Sequence, residues 1–345
     1  MGKAYVTIKD LARELGLSIS TISRALRDLP DVHPDTRQQV QELARARNYQ
    51  PNRFASGLVR QETRLIGVVA PRFSAHSFAN MISGIEELAY EEGYQLVLCE
   101  SKHDAAREQM GVEALLTIRV DGLIIAPAIE AEGAVLGHLH EVRRRGVPMV
   151  YVDRVYEALP APAVLTDDFQ AGYEATSALI ARGRRRIAYL GGASYLSFAR
   201  ERRRGYLKAL QDQGLAAEAA WAPEAGFSPE EGQAAMARIL EGQGPWPDAV
   251  FAVSDGCAAG AMRAIRQRGL RIPEDIALIG FGNDPWTAWL EPPLSSVLQP
   301  MLETGRLAAR LLIGLIQGPA QAADSSWHHL PAGLLIRESL EAPPH

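Results

Sequence analysis

Apolar residues in the first fifty positions recur at three- and four-residue spacing. From Leu65 onward they gather into short continuous runs separated by amphipathic stretches. The first regime predicts three short helices. The first covers about 8–15: Thr7 stands at its cap, Asp10 three residues later completes a capping box, and Gly16 stops it. The second starts at Ser18 and ends near Leu26, with Ile22, Ala25 and Leu26 on one face. The third follows His33. Pro34 suits its first position, Asp35 favours the positive end of its dipole, and Val40, Leu43 and Ala44 form its buried stripe. Imidazole is a poor cap, so this third helix is expected to begin weakly.

The second regime alternates apolar runs (66–70, 96–98, 122–125, 149–152, 187–190, 249–253, 276–280) with helical stretches (78–92, 105–118, 135–145, 169–181, 200–211, 257–267). Nearly continuous apolar strands are buried on both faces, which calls for parallel sheets with right-handed crossovers. There are too many units for one compact sheet. Two doubly wound lobes, split near Thr166, are expected, with ligands bound beyond the carboxyl ends of the strands, in the cleft between lobes. The fold class read from this pattern is α/β: an all-α head joined to two doubly wound lobes. The expected divisions are a head over 1–50 and a hinge and linker over 51–63. The first lobe takes 64–165 plus about 296–323, and the second takes 166–295 plus about 324–345.

Charge changes the picture more than composition does. The net charge of the chain is −5. Yet the first sixty residues hold ten Lys/Arg against six Asp/Glu, and the rest hold 26 against 35. A basic head on an acidic body suits a protein whose head meets phosphate. Cys99 and Cys257, far apart, offer neither a disulfide framework nor a zinc cluster. No apolar run is long enough to span a bilayer and the N-terminus has no apolar signal core, so a cytoplasmic, nucleoid-associated protein with no membrane partner is expected. No cofactor is expected. The chain lacks H-E-x-x-H, a phosphate-binding G-x-x-x-x-G-K-[ST] loop, G-x-S-x-G and a dinucleotide fingerprint, so an enzyme is not expected.

Two helices joined by a turn at Gly16 fit helix-turn-helix geometry. The second opens on small hydroxyls that reach phosphates, and Arg24 follows one turn on, where a guanidinium can read guanine. Residues 6–60 resemble the lactose-repressor/galactose-repressor family of bacterial regulators, in the run from Thr7 to Leu26 and again from Thr36 to Asn52. The resemblance continues through Val120-Asp121-Gly122-Leu123-Ile124, Val152-Asp153-Arg154, Arg186-Ile187-Ala188-Tyr189-Leu190-Gly191-Gly192, Arg200-Glu201-Arg202, Gly269-Leu270-Arg271-Ile272-Pro273-Glu274-Asp275 and Pro292-Pro293-Leu294. It implies a periplasmic-binding-protein-like sensor, a homodimer and double-stranded operator DNA of approximate two-fold symmetry. It also implies a small-molecule effector, a carbohydrate, in the cleft.

By that resemblance Ile19 and Ser20 read bases beside Arg24, while Ser18, Thr21 and Ser23 anchor the backbone. Ile19 would meet a thymine methyl, or instead pack on the first helix. Arg27 is a phosphate contact or a solvated residue. Thr7 and, in a hinge helix, Asn52, Arg53, Ala55 and Leu58 complete the DNA set, with Leu58 wedged into the minor groove. Gly57 weakens that hinge, so it is expected to order only on the operator.

The effector set implied by the resemblance is Ser74, His76 and Phe78 after the first strand, Asp153, Arg202, Phe227, Ser254 and Asp255, and Asn283, Asp284 and Trp286. Carboxylates, amide and guanidinium suit sugar hydroxyls, and an aromatic face suits sugar C–H groups. Plainer readings stand beside these: a surface histidine for His76, core for Phe78, a loop pin for Asp153, a solvated helix residue for Arg202, packing for Trp286 and Trp289. A neutral sugar is the first choice and a sugar acid paired to Arg202 the second. Dimer contacts are expected around Met81 to Leu88, and solvation is expected at His328 and His329. The short tail 341–345 lacks heptads, which favours a dimer over a coiled-coil tetramer. An exported sugar-binding protein shares the clamshell but would need a signal peptide and no helix-turn-helix.

Overall fold

The computed structural model describes residues 6–49, 62–128, 136–242, 245–318 and 326–341. The chain divides into two compact units, Met1–Thr63 and Arg64–His345.

The first unit contains α1 (Ile8–Leu15), α2 (Ile19–Leu26) and α3 (Pro34–Ala46). Leu11, Ile22, Ala25 and Val40 are fully buried at its centre. Thr7 and Asp10 form the expected capping box, with the Thr7 amide donating to Oδ2 of Asp10 at 2.9 Å. Gly16 takes the left-handed conformation that ends α1, at φ 64°. His33 makes no side-chain cap bond at the head of α3. The hinge residues Asn52, Arg53, Ala55 and Leu58 lie outside the described residues.

The second unit is two sheets. The first runs β10-β5-β4-β3-β1-β2, all parallel, from β1 (Leu65–Ala70), β2 (Gln95–Glu100), β3 (Gly122–Ile125), β4 (Met149–Val152), β5 (Ala163–Thr166) and β10 (Trp327–Leu330). Its helices are α4 (His76–Glu91), α5 (Ala105–Thr117) and α6 (Gly137–Arg144). The second runs β11-β9-β8-β7-β6, from β6 (Ile187–Leu190), β7 (Ala249–Ala252), β8 (Ala277–Phe281), β9 (Ser295–Leu298) and an antiparallel β11 (Gly333–Leu335). With it go α7 (Asp168–Ala181), α8 (Ser197–Asp212), α9 (Pro229–Glu241) and α10 (Asp255–Gln267), while α11 (Met301–Gln317) packs on the first sheet.

The chain thus passes between lobes after β5, after β9 and between β10 and β11. The last passage corrects one expectation. The sequence pattern places residues from about 324 on in the second lobe, but Trp327–Leu330 pairs with Ala163–Thr166 of the first. His328 and His329, expected in a solvated stretch, belong to this strand. Its partner β5 escaped the sequence pattern because it is four residues long and follows Pro160 and Pro162.

Helix pairs in this unit meet through reciprocal glycines. A Cβ on Gly84 of α4 would overlap the carbonyl of Leu302, and one on Gly305 of α11 would overlap the carbonyl of Met81. The inward face of α4, with Met81 and Ile85 fully buried, is therefore covered by α11, and Ser83, Glu87 and Tyr90 face outward. The dimer face expected at Met81 to Leu88 loses those two residues to the core. Gly305→Val is expected to lower stability by about 2–3 kcal/mol, seen as a lower urea midpoint at unchanged slope. Gly314 on the same helix has nothing near its absent side chain, so Gly314→Ala should raise stability by about 0.5–1 kcal/mol.

Candidate functional site

In the head, Ser18 caps α2: its Oγ accepts from the Thr21 amide at 3.1 Å and lies 2.7 Å from Ser20 Oγ and 2.8 Å from Thr21 Oγ1. Three hydroxyls therefore cluster at the positive end of the helix dipole, a place suited to a phosphate. Ile22 and Ala25 turn inward, which leaves Ser18, Ile19, Ser20 and Arg24 exposed on the other face. Ile19 is 46% exposed, so packing against α1 does not account for it. Arg24 forms an ion pair with Asp31, and Arg27 donates through Nε to the carbonyl of Ser23 at 3.3 Å. Exposed ion pairs contribute at most about 1 kcal/mol. The Arg24–Asp31 pair is therefore weak enough to leave the guanidinium available to a stronger partner.

Between the lobes, the carboxyl ends of β1, β2 and β4 bring Arg72, His103, Asp153 and Arg154 together. Burial first, then the positive charges of Arg154 and Arg72, hold His103 below its ordinary value. Arg154 donates to Asp153 at 3.1 Å and to the carbonyl of Pro127 at 3.3 Å. Asp153 has φ 65°, and the Arg154 amide closes back on the Val152 carbonyl at 2.6 Å. That tight positive-φ turn is a strained conformation, and such turns gather at ligand sites.

The second lobe faces it with Asp168, Phe198, Arg202, Phe227 and Phe281. Arg202 is buried: Nε donates to Asp168 Oδ1 at 2.8 Å and Nη1 to the carbonyl of Val253 at 2.8 Å. Its guanidinium lies 4.8 Å from the Phe198 ring centre and is stacked over Phe281 at 3.3 Å. The solvated reading of Arg202 therefore does not hold. Burial raises the Asp168 carboxyl to about 6, against the pull of Arg202, with Asp153 of the other lobe adding to the rise. Arg154 of the first lobe sits 5.3 Å from the Phe198 ring, and Phe198 lies 5.8 Å from Phe227, which is 38% exposed. Ser254 Oγ donates to the Phe227 carbonyl at 2.9 Å, so it orders that loop as well as capping α10.

Other expected effector residues fall elsewhere. Phe78 is 7% exposed and belongs to the first-lobe core with Met81 and Ile85, its neighbours at helical spacing. Asp255 is buried with both oxygens engaged, accepting from Ser296 Oγ at 2.6 Å and from the Asp284 amide at 2.7 Å. It ties α10 to β9 and to the 283–284 turn instead of presenting a free carboxylate. Asn283 accepts from Arg337 Nη2 at 2.8 Å, at φ 51°. Ser74 is exposed, His76 Nε2 accepts from the Asn80 side-chain Nδ2 at 3.0 Å, and Trp286 is 40% exposed, so core packing does not explain it.

Burial also raises Asp255 to about 6. Its folded value exceeds its unfolded one, so the folded protein holds a proton between pH 4 and 6 that the unfolded chain has released. The contribution of this carboxyl to stability therefore falls as pH rises through that window, by roughly 2–3 kcal/mol. Asp255→Asn should flatten the decline in unfolding free energy between pH 4.5 and 6.5 relative to the parent. A parallel pair of curves would mean the carboxyl is no more perturbed folded than unfolded.

Comparison with known proteins decides the family. Residues 7–52 match the model for bacterial regulatory proteins of the lacI family, and 176–340 match a periplasmic binding protein-like domain. The chain is 32% identical to catabolite control protein A of Priestia megaterium over 97% of this chain and 99% of that protein. It is 32% identical to the repressor CytR of Escherichia coli K12 over 98% of this chain and 97% of that one. The chain belongs to the LacI family. Its fold superposes on a lac repressor dimer bound to operator and an anti-inducer with a TM-score of 0.84, at 27% identity over 98% of this chain and 100% of that one. It superposes on a complex of the transcriptional regulator CelR with cellobiose with a TM-score of 0.71, at 29% identity over 97% and 99%.

The chain is accordingly a DNA-binding transcriptional regulator, of a family that acts on operators as dimers and is not enzymatic. No helix among the described residues is long and apolar enough to cross a membrane. Within this LacI-family chain, sequence reasoning missed Arg72, His103, Arg154, Asp168, Phe198 and Phe281. Arg154 had a signal, since it adjoins Asp153 at a strand end. Helix α9, which follows the Phe227 loop, had another: Ser228, Pro229 and Glu231 form a capping box with proline at the first turn.

Proposed function

We propose that this chain is a repressor whose hold on an operator is set by a small carbohydrate bound between the sensor lobes, and that it acts as a homodimer. The supporting observation is the contact chain across the cleft. Arg154 from one lobe lies on Phe198 from the other, and Phe198 in turn joins Arg202 to Phe227. A ligand entering there touches both lobes, and so acquires the unequal affinity for open and closed forms that any switch requires. Phe227 offers a half-exposed ring for sugar C–H groups, and Asp153 offers a carboxylate for paired hydroxyls. In the head, Ser18, Thr21 and Ser23 would hold phosphates while Ile19, Ser20 and Arg24 read bases.

A second reading of the effector, a sugar acid, is favoured by one feature. Arg72, His103 and Arg154 gather on the first-lobe side, where the two guanidiniums suit a carboxylate. Thermal unfolding against a panel of neutral sugars and of uronic and aldonic acids separates the two. The true class should raise the melting temperature by about 3–6 °C at saturation, and Phe227→Ala should reduce the rise. A panel in which neither class moved the transition would remove the carbohydrate reading.

A further inference from the structure

A second concavity, of about 420 Å³, is formed by α8, the end of β6 and the turn 219–224, and none of its lining side chains belongs to the cleft just described. Arg200, Arg203 and Arg204 line it together with Leu207. These four positions follow the i, i+3, i+4, i+7 spacing of one helix face, whereas Arg202 turns the other way into the cleft. Like charges one turn apart cost a helix a few tenths of a kcal/mol per pair, so this face has a local cost that some partner should offset. Among the described residues only Arg204 has such a partner, Glu201 at 2.7 Å. Arg200 and Arg203 make no hydrogen bond or ion pair among the described residues. The one carboxylate in the lining, Glu224, already accepts from the Ser194 amide at 3.0 Å. Tyr189, buried at the end of β6, forms part of the inner wall beside Arg203. Leu207, Ala222 and Pro223 supply an apolar side.

We propose that this concavity is a second ligand site, for a small organic phosphate whose dianion is gripped by Arg200 and Arg203 and whose carbon body lies on Leu207, Ala222 and Pro223. A phosphate monoester offers two guanidiniums three terminal oxygens and about two negative charges, where a carboxylate offers two oxygens and one charge. The volume suits a ligand of one ring, near the small end of ligand pockets. The proposal is independent of what occupies the cleft.

Phenyl phosphate is the probe, titrated calorimetrically into the full chain at low salt. One molecule per chain should bind. Arg200→Gln combined with Arg203→Gln should weaken binding by about tenfold or more with an unchanged melting temperature, since both residues are exposed. Asp153→Asn, which alters the cleft, should leave phenyl phosphate binding as it was. No binding up to about 10 mM, equal binding by the double variant, or benzoate binding as tightly as phenyl phosphate would each overturn the proposal.

Discussion

Arg24→Ala is expected to erase operator preference while sparing general affinity for DNA. Each guanine read by a paired guanidinium discriminates by about 1–3 kcal/mol, and a two-fold operator carries two such contacts. The expected loss on the specific site is therefore roughly 2–6 kcal/mol, a weakening of about thirtyfold or more. Binding to random duplex should change far less, because phosphate contacts supply most of it. The ion pair that Arg24 makes in the free head sharpens the test. Asp31→Ala releases Arg24 without removing it, and should tighten operator binding by no more than about thirtyfold, since each of the dimer's two exposed pairs contributes at most about 1 kcal/mol. Competition titrations of both variants against one operator and one scrambled duplex give both numbers. A loss shared equally by the two duplexes would make Arg24 a phosphate contact.

Asp168→Ala is expected to be the most damaging single change in the sensor. It leaves Arg202 buried between Phe198 and Phe281 with no counter-ion. Breaking a buried pair on one side costs about 3–5 kcal/mol. Replacing both partners, as in Asp168→Leu with Arg202→Met, should restore most of that stability, because the pair's own desolvation cost goes with it. The double variant should then fold, bind operator and ignore every sugar. This separates a structural pair from an effector-binding one. A double variant that still responded to ligand would show that Arg202 serves only the fold.

The architecture was legible in the periodicities: the change of regime at Leu65, the apolar strands and the cap signals all reappear as elements. What escaped was short or non-local. Strand β5 is four residues behind two prolines, and β10 reads as a polar stretch because its residues are exposed or half-buried, with a partner some 160 positions earlier. In the head, exposure of Ile19 followed from the inward turn of Ile22 and Ala25 at helical spacing. The cleft was harder. Position after a strand end marked Asp153 and Asp255 alike, yet one sits in a strained turn at the cleft and the other is consumed by Ser296 and the Asp284 amide. Which partners a carboxylate finds across forty residues is a property of the folded lobes. So is the aromatic bridge of Phe198, which nothing in its local sequence distinguishes from an ordinary core residue.

Regulation by this chain requires a head that prefers particular duplexes and a clamshell that modulates that preference. Selection of bound fragments from a random duplex pool by the full-length chain, at about 0.15 M salt, tests this most directly when repeated with sugars and sugar acids present. The expected result is an enriched site of approximate two-fold symmetry, bound about a thousandfold or more above the pool, with enrichment changed by one ligand class. A bound fraction with the same sequence composition as the pool, under every ligand condition, would contradict it.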